Sequence, residues 1–147
     1  MSLLVVDATV IVEVTLERLG VQALDALGDE QLIAPWLLWS EAPAALSAMI
    51  FRAEISRELG EAALGRLDSI DVEPSHPDDL IDEAWRIAKE YGWAKTYDAE
   101  YVALAKILGC RLVTLDGPLW RRTKDLGFVV TPDELKPAPD PPADEES

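Results

Sequence analysis

Short apolar runs alternate along this chain with stretches whose apolar positions recur every three or four residues. The runs read as strands and the periodic stretches as helices. Leu3–Val6 is fully apolar and predicts a buried strand. Helices are predicted over Ala8–Leu19 and Val21–Leu27, broken near Gly20 and ended by Gly28. Gln31–Ala34 predicts a strand stopped by Pro35, and Trp36–Ala53 a long helical stretch. Pro43 lies inside that stretch and should restart or kink it. Ser56–Leu67 predicts an amphipathic helix, and Ile70–Glu73 a weak strand before Pro74. Further helices are predicted from Pro77 to Tyr91, stopped by Gly92, and over Thr96–Leu108, ended by Gly109. Arg111–Leu115 is the clearest strand, followed by a short helix, Pro118–Leu126, and a last strand, Phe128–Val130. This alternation argues for the α/β class, with a parallel sheet covered by helices.

The 147 residues suit one domain, with no internal repeat and no linker. Residues 1–134 read as the folded unit, and residues 135–147, rich in proline and acid, as a disordered tail. The apolar runs fall far short of the ~20 residues of a membrane span. The N-terminus, Met1-Ser2-Leu3-Leu4, lacks the basic start of a signal peptide, so a cytoplasmic location is expected. With Cys110 the single cysteine and His76 the single histidine, neither an internal disulfide nor a Cys/His zinc site is available. The net charge of −15 is a poor footprint for a general nucleic-acid binder. Contact with nucleic acid would have to be local and metal-assisted, and a basic partner protein is an equally natural reading.

Four acids carry the candidate chemistry: Asp7, Glu41, Asp98 and Asp116. In a parallel α/β sheet, ligands bind beyond the carboxyl ends of the strands. Asp7 and Asp116 each close a predicted strand. A helix that feeds a parallel strand begins at that same edge, which places Asp98, and with less force Glu41, beside them. Glu41 and Asp98 also border apolar helical stripes that should pack inward. One like-charged pair at ~4 Å and an effective dielectric of ~20 costs roughly 4 kcal/mol. A divalent cation removes that cost and supplies a reactive water, which points to a metal-dependent hydrolase. Each acid also has a purely structural reading. Asp7 suits the N-cap of a helix, Asp98 complements a helix dipole, Asp116-Gly117-Pro118 suits a turn, and Glu41 suits a solvated helix face. By position alone, Glu100 competes with Asp98.

Four segments resemble a known family. They are Val5-Val6-Asp7-Ala8-Thr9, Ser40-Glu41, Thr96 to Ala105 around Asp98, and Leu112 to Leu119 around Thr114-Leu115-Asp116. In order and spacing the chain resembles PIN-domain ribonucleases, most of all the VapC-type toxins of toxin–antitoxin pairs, from Leu3 to about Thr131. The resemblance implies a three-layer α/β/α domain with a short central parallel sheet. It implies that Asp7, Glu41, Asp98 and Asp116 are catalytic, selects Asp98 over Glu100, and makes Thr9 and Thr114 supporting residues. It further implies Mg²⁺ or Mn²⁺ on Asp7, Asp98 and Asp116, with Glu41 ligating or handling the attacking water, and hydrolysis of RNA. The partners it implies are a second copy of the chain and a small antitoxin with a basic tail.

Outside these segments, Lys95, Arg111, Arg121, Arg122 and Lys124 form a candidate RNA-backbone contact or a solvated face. Trp36, Trp39, Trp93 and Trp120 suit core packing or an interface better than base stacking. Two alternatives to the toxin are a PIN-like RNA-processing nuclease without an antitoxin and a non-catalytic binding module. A phosphoryl-transfer role for Asp7 ranks below both, because Asp7-Ala8-Thr9 lacks a second aspartate.

Overall fold

Among the described residues, five short strands make one all-parallel sheet: Leu3–Val6 (β1), Gln31–Ala34 (β2), Val72–Pro74 (β3), Arg111–Val113 (β4) and Val129–Val130 (β5). Their order is β3-β2-β1-β4-β5. The computed structural model describes residues 2–93 and 95–135, so the tail expected from residue 135 onward lies outside the described residues beyond Leu135. Within these residues seven α-helices connect and cover the strands: Ala8–Thr15 (α1), Val21–Gly28 (α2), Leu38–Phe51 (α3), Arg57–Leu67 (α4), Leu80–Tyr91 (α5), Tyr97–Leu108 (α6) and Gly117–Thr123 (α7). The architecture is the expected three-layer α/β/α arrangement.

β1 is central, with Val5 aligned on Ile33 of β2 and Leu112 of β4. Leu4, Val5 and Val6 are fully buried. That is the burial a strand meets when helices cover both faces of its sheet, and it explains the unbroken apolar run. α6 packs on β1, β4 and α5, and its stretch Tyr101–Ala105 is buried throughout. Alanines at 99, 103 and 105 let this helix approach the sheet closely. Glu83 of α5 is buried beside it and accepts from Lys106 Nζ at 2.6 Å and from Arg86. The sheet order reverses between β1 and β4, so a crevice opens beyond their carboxyl ends.

Several boundaries differ from the sequence expectation. α1 stops at Thr15, not Leu19, because Glu17 takes a left-handed conformation with φ 58°. α3 runs unbroken from Leu38 to Phe51, so Pro43 does not restart it. Pro43 sits in the second turn, where its missing N–H deprives only the Trp39 carbonyl of a helical partner. β4 ends at Val113, leaving Thr114 and Leu115 as a connection to α7. α7 tightens into a 3-10 turn, Lys124–Leu126, closed by Gly127 at φ 86°. Among the described residues, no helix is long and apolar enough to cross a membrane.

Candidate functional site

The end of β1 delivers Asp7 to the crevice, and the side chain is almost wholly buried, 4% exposed. Asp7 is the N-cap of α1: Oδ1 accepts from the Val10 backbone N–H at 3.3 Å. Thr9 Oγ1 donates to the same oxygen at 2.6 Å, and Thr114 Oγ1 donates to Oδ2. Both threonines also accept from the β4–α7 connection, Thr9 from the Leu115 N–H and Thr114 from the Asp116 N–H, each at 2.9 Å. Two hydroxyls therefore hold the first acid and the backbone that presents the fourth in one network. Asp116 itself caps α7, with Oδ1 accepting from the Leu119 N–H at 3.1 Å. It does not close a strand as expected. It begins a helix whose Pro118 lies in the first turn. For Asp7 and Asp116, capping and convergence are both true, because each carboxylate retains lone pairs beyond those its cap uses.

Glu41 lies in the first turn of α3 and Asp98 in the first turn of α6. The four acids line one open cavity of about 560 Å³, together with Thr9 and Tyr101. None of the four forms a salt bridge among the described residues. Arg52 also lines the cavity but is paired with Glu54 at 3.0 Å.

The electrostatics follow from burial and mutual repulsion. Burial pushes the Asp7 carboxyl up from 3.8 to about 6; the hydrogen bonds from Thr114, Thr9 and Val10 oppose it, and the Asp116 charge adds to it. Burial likewise raises Glu41, and Asp98 and Glu100 raise it further, while a hydrogen bond from Tyr101 pulls it down. Asp98 is raised by burial and by Asp116, and lowered by Arg122. Glu100 does not line the acid cavity; it is raised by burial and lowered by His76.

Tyr101 is the member of this site that the sequence reading missed. It lies on the inward face of α6, three residues after Asp98, and is buried there. Its phenol, however, donates to Glu41 Oε1 at 2.6 Å. The only signal was a hydroxyl inside an otherwise apolar stripe. Of the proposed basic contacts, Arg111 falls away: it starts β4 at the opposite edge of the sheet and pairs with Glu30 at 3.0 Å. Trp36 is exposed and stacks on His76 with ring centroids 4.2 Å apart.

The donor set is all oxygen, which suits a hard divalent cation such as Mg²⁺ or Mn²⁺. Among the described residues, no group of three or more Asp, Glu, His or Cys side chains is arranged to hold a metal ion by itself. Asp7 accepts three hydrogen bonds, leaving about one of roughly four lone-pair positions for a ligand. A cation that keeps several waters and takes one or two carboxylates fits such a cleft; a closed protein cage does not.

The crystal structure of PAE2754 from Pyrobaculum aerophilum has a TM-score of 0.67 with this chain at 26% sequence identity, covering 90% of this chain and 85% of that one. No curated protein matches the chain at a significant level. The PIN domain matches residues 4–125, which include all four acids and both threonines, and the chain belongs to the PIN-domain family.

Proposed function

We propose that this protein is a metal-dependent endoribonuclease, the toxin of a type II toxin–antitoxin pair, acting in the cytoplasm on RNA phosphodiester bonds. PIN domains are generally nucleases that use divalent metal ions. The observation that carries the reading is one open cavity lined by Asp7, Glu41, Asp98 and Asp116, with no salt-bridged cation on any of them among the described residues. In this reading Asp7, Asp98 and Asp116 hold Mg²⁺ or Mn²⁺, directly or through water. Such an ion supplies a more acidic water and neutralises charge on the phosphate oxygens.

The chain's own groups do the rest. Thr9 and Thr114 fix the Asp7 carboxylate, so its free lone pair keeps one direction. Tyr101 occupies Oε1 of Glu41 and leaves Oε2 to accept a proton from a water aligned for attack. The cleft's negative charge suits a small antitoxin whose basic tail places Arg or Lys among the acids, and the toxin works as a homodimer.

RNA cleavage with Mg²⁺ or Mn²⁺, with and without chelator, tests the site in wild type and Asp7→Asn. Equal activity in both proteins defeats the assignment. Sequencing RNA ends after brief expression identifies the substrate. A purified toxin–antitoxin pair that cleaves as fast as the toxin alone removes the inhibitory partner from the reading.

A further inference from the structure

A second cavity, of about 360 Å³, adjoins the acid cleft and shares Asp98 with it. Tyr91, Gly92, Trp93, Lys95 and Arg122 line the rest. Trp93 is buried, 8% exposed, and its indole Nε1–H has no hydrogen-bond partner among the described residues. A buried donor without an acceptor is costly, so it calls for one. Arg122 lies over the same indole ring, 6.0 Å from its centroid.

Unpaired charge adds to this recess. The chain has 28 acids for 13 lysines and arginines, so an unpaired cation is unexpected on it. Five described lysines and arginines, Lys89, Lys95, Arg121, Arg122 and Lys124, take part in no ion pair, and two of them, Lys95 and Arg122, both exposed, line this recess. Two unpaired cations thus line a small polar recess walled by the indole that carries the unsatisfied N–H, one side chain away from the candidate metal ligands.

We infer that the recess formed by Trp93, Lys95 and Arg122 is a phosphate subsite, which takes the RNA phosphate neighbouring the one to be cleaved. The inference deepens the nuclease reading and rests on it for the substrate. The indole N–H and the guanidinium donate to phosphate oxygens, and Lys95 adds charge at the rim. Arg122 also acts on Asp98, so the recess is electrostatically continuous with the cleft.

Binding measured in chelator separates the subsite from catalysis. The five tryptophan indoles are followed by ¹⁵N NMR, with Trp93 identified by its loss in Trp93→Phe. The probes are a single-stranded oligoribonucleotide and inorganic phosphate. The Trp93 indole proton is expected to move downfield with the oligoribonucleotide. Trp93→Phe, which keeps an aromatic side chain and removes the donor, should weaken that binding about tenfold. Lys95→Ala and Arg122→Ala should each weaken it roughly fivefold to tenfold and reduce the salt slope by about one. A shift with inorganic phosphate alone supports the subsite and assigns it to a free or terminal phosphate. An unmoved Trp93 resonance with both probes overturns the inference, as do wild-type affinity and salt slope in Arg122→Ala. If the metal-loaded protein fails to cleave RNA while these shifts persist, the nuclease reading fails and the subsite stands.

Discussion

The phenol of Tyr101 donates to Glu41 Oε1 at 2.6 Å, joining α6 to α3 across 60 positions of sequence. The bond lowers Glu41 against the upward push of burial and of Asp98 and Glu100. In return, burial and the nearby carboxylates hold the phenol far above its usual value, so it stays a donor throughout the working pH range. Tyr101 is thus a positioning residue for Glu41.

Tyr101→Phe removes only that hydroxyl. Glu41 loses the hydrogen bond that favours its charged form, so its pKa rises. The acid limb of the pH–kcat/KM profile for RNA cleavage is expected to move to higher pH, with activity near neutrality falling roughly tenfold. An unmoved acid limb would show that Glu41 is not under Tyr101's control.

Asp7→Asn should abolish cleavage, by a hundredfold or more, while stabilising the metal-free protein at neutral pH. The folded chain raises the Asp7 carboxyl from 3.8 to about 6, so it binds that proton more tightly than the unfolded chain. The resulting stability is complete below pH 3.8 and is lost as pH rises through about 6. Asparagine has no proton to lose. In chelator at pH 7.5 the variant should gain up to about 3 kcal/mol over wild type, with the gain vanishing near pH 4. Urea denaturation at the two pH values checks the sign.

Divalent metal should raise the melting temperature at pH 7.5 and far less at pH 5. Asp7, Glu41 and Asp98 are all raised by burial, so at pH 5 protons compete with the metal for the same oxygens. At a hundredfold excess over Kd the added stability is about 2.7 kcal/mol. Thermal unfolding with and without Mn²⁺ measures it. An equal shift at both pH values would place the metal elsewhere.

Thr114→Val replaces a fully buried hydroxyl by a methyl group. It strands the Asp116 N–H and removes a donor from Asp7. The expected cost is about 1–3 kcal/mol, with Thr114→Ser losing much less because it keeps the hydroxyl. Chemical denaturation of both variants, with cleavage assays beside it, tests whether the hydroxyl or the shape matters.

Much of this arrangement is legible in the chain because burial and backbone chemistry act locally. The two strands bounded by clear signals, Leu3–Val6 and Gln31–Ala34, lie where the apolar runs put them. The edge logic also brought Asp7, Glu41, Asp98 and Asp116 to one cavity. It did so for Asp116 by a different local route, a helix cap in place of a strand end. Tyr101 was hidden because a tyrosine on an inward stripe reads as packing, and its bond spans two helices far apart in sequence. Arg111 misled because it is close in sequence to Asp116, although it begins the strand and so lies at the opposite edge, where Glu30 captures it. The end of α1 was lost to a single left-handed residue, Glu17, in a non-glycine position that carries no sequence signal.

The bond from Thr114 to Asp7 spans 107 positions. A chain being synthesised therefore carries its first acid about a hundred residues before the Thr114 hydroxyl that steadies it, the fourth acid and β4 follow. The cleft of four acids closes only when that later strand slots in beside the first, so a shorter nascent chain is without it.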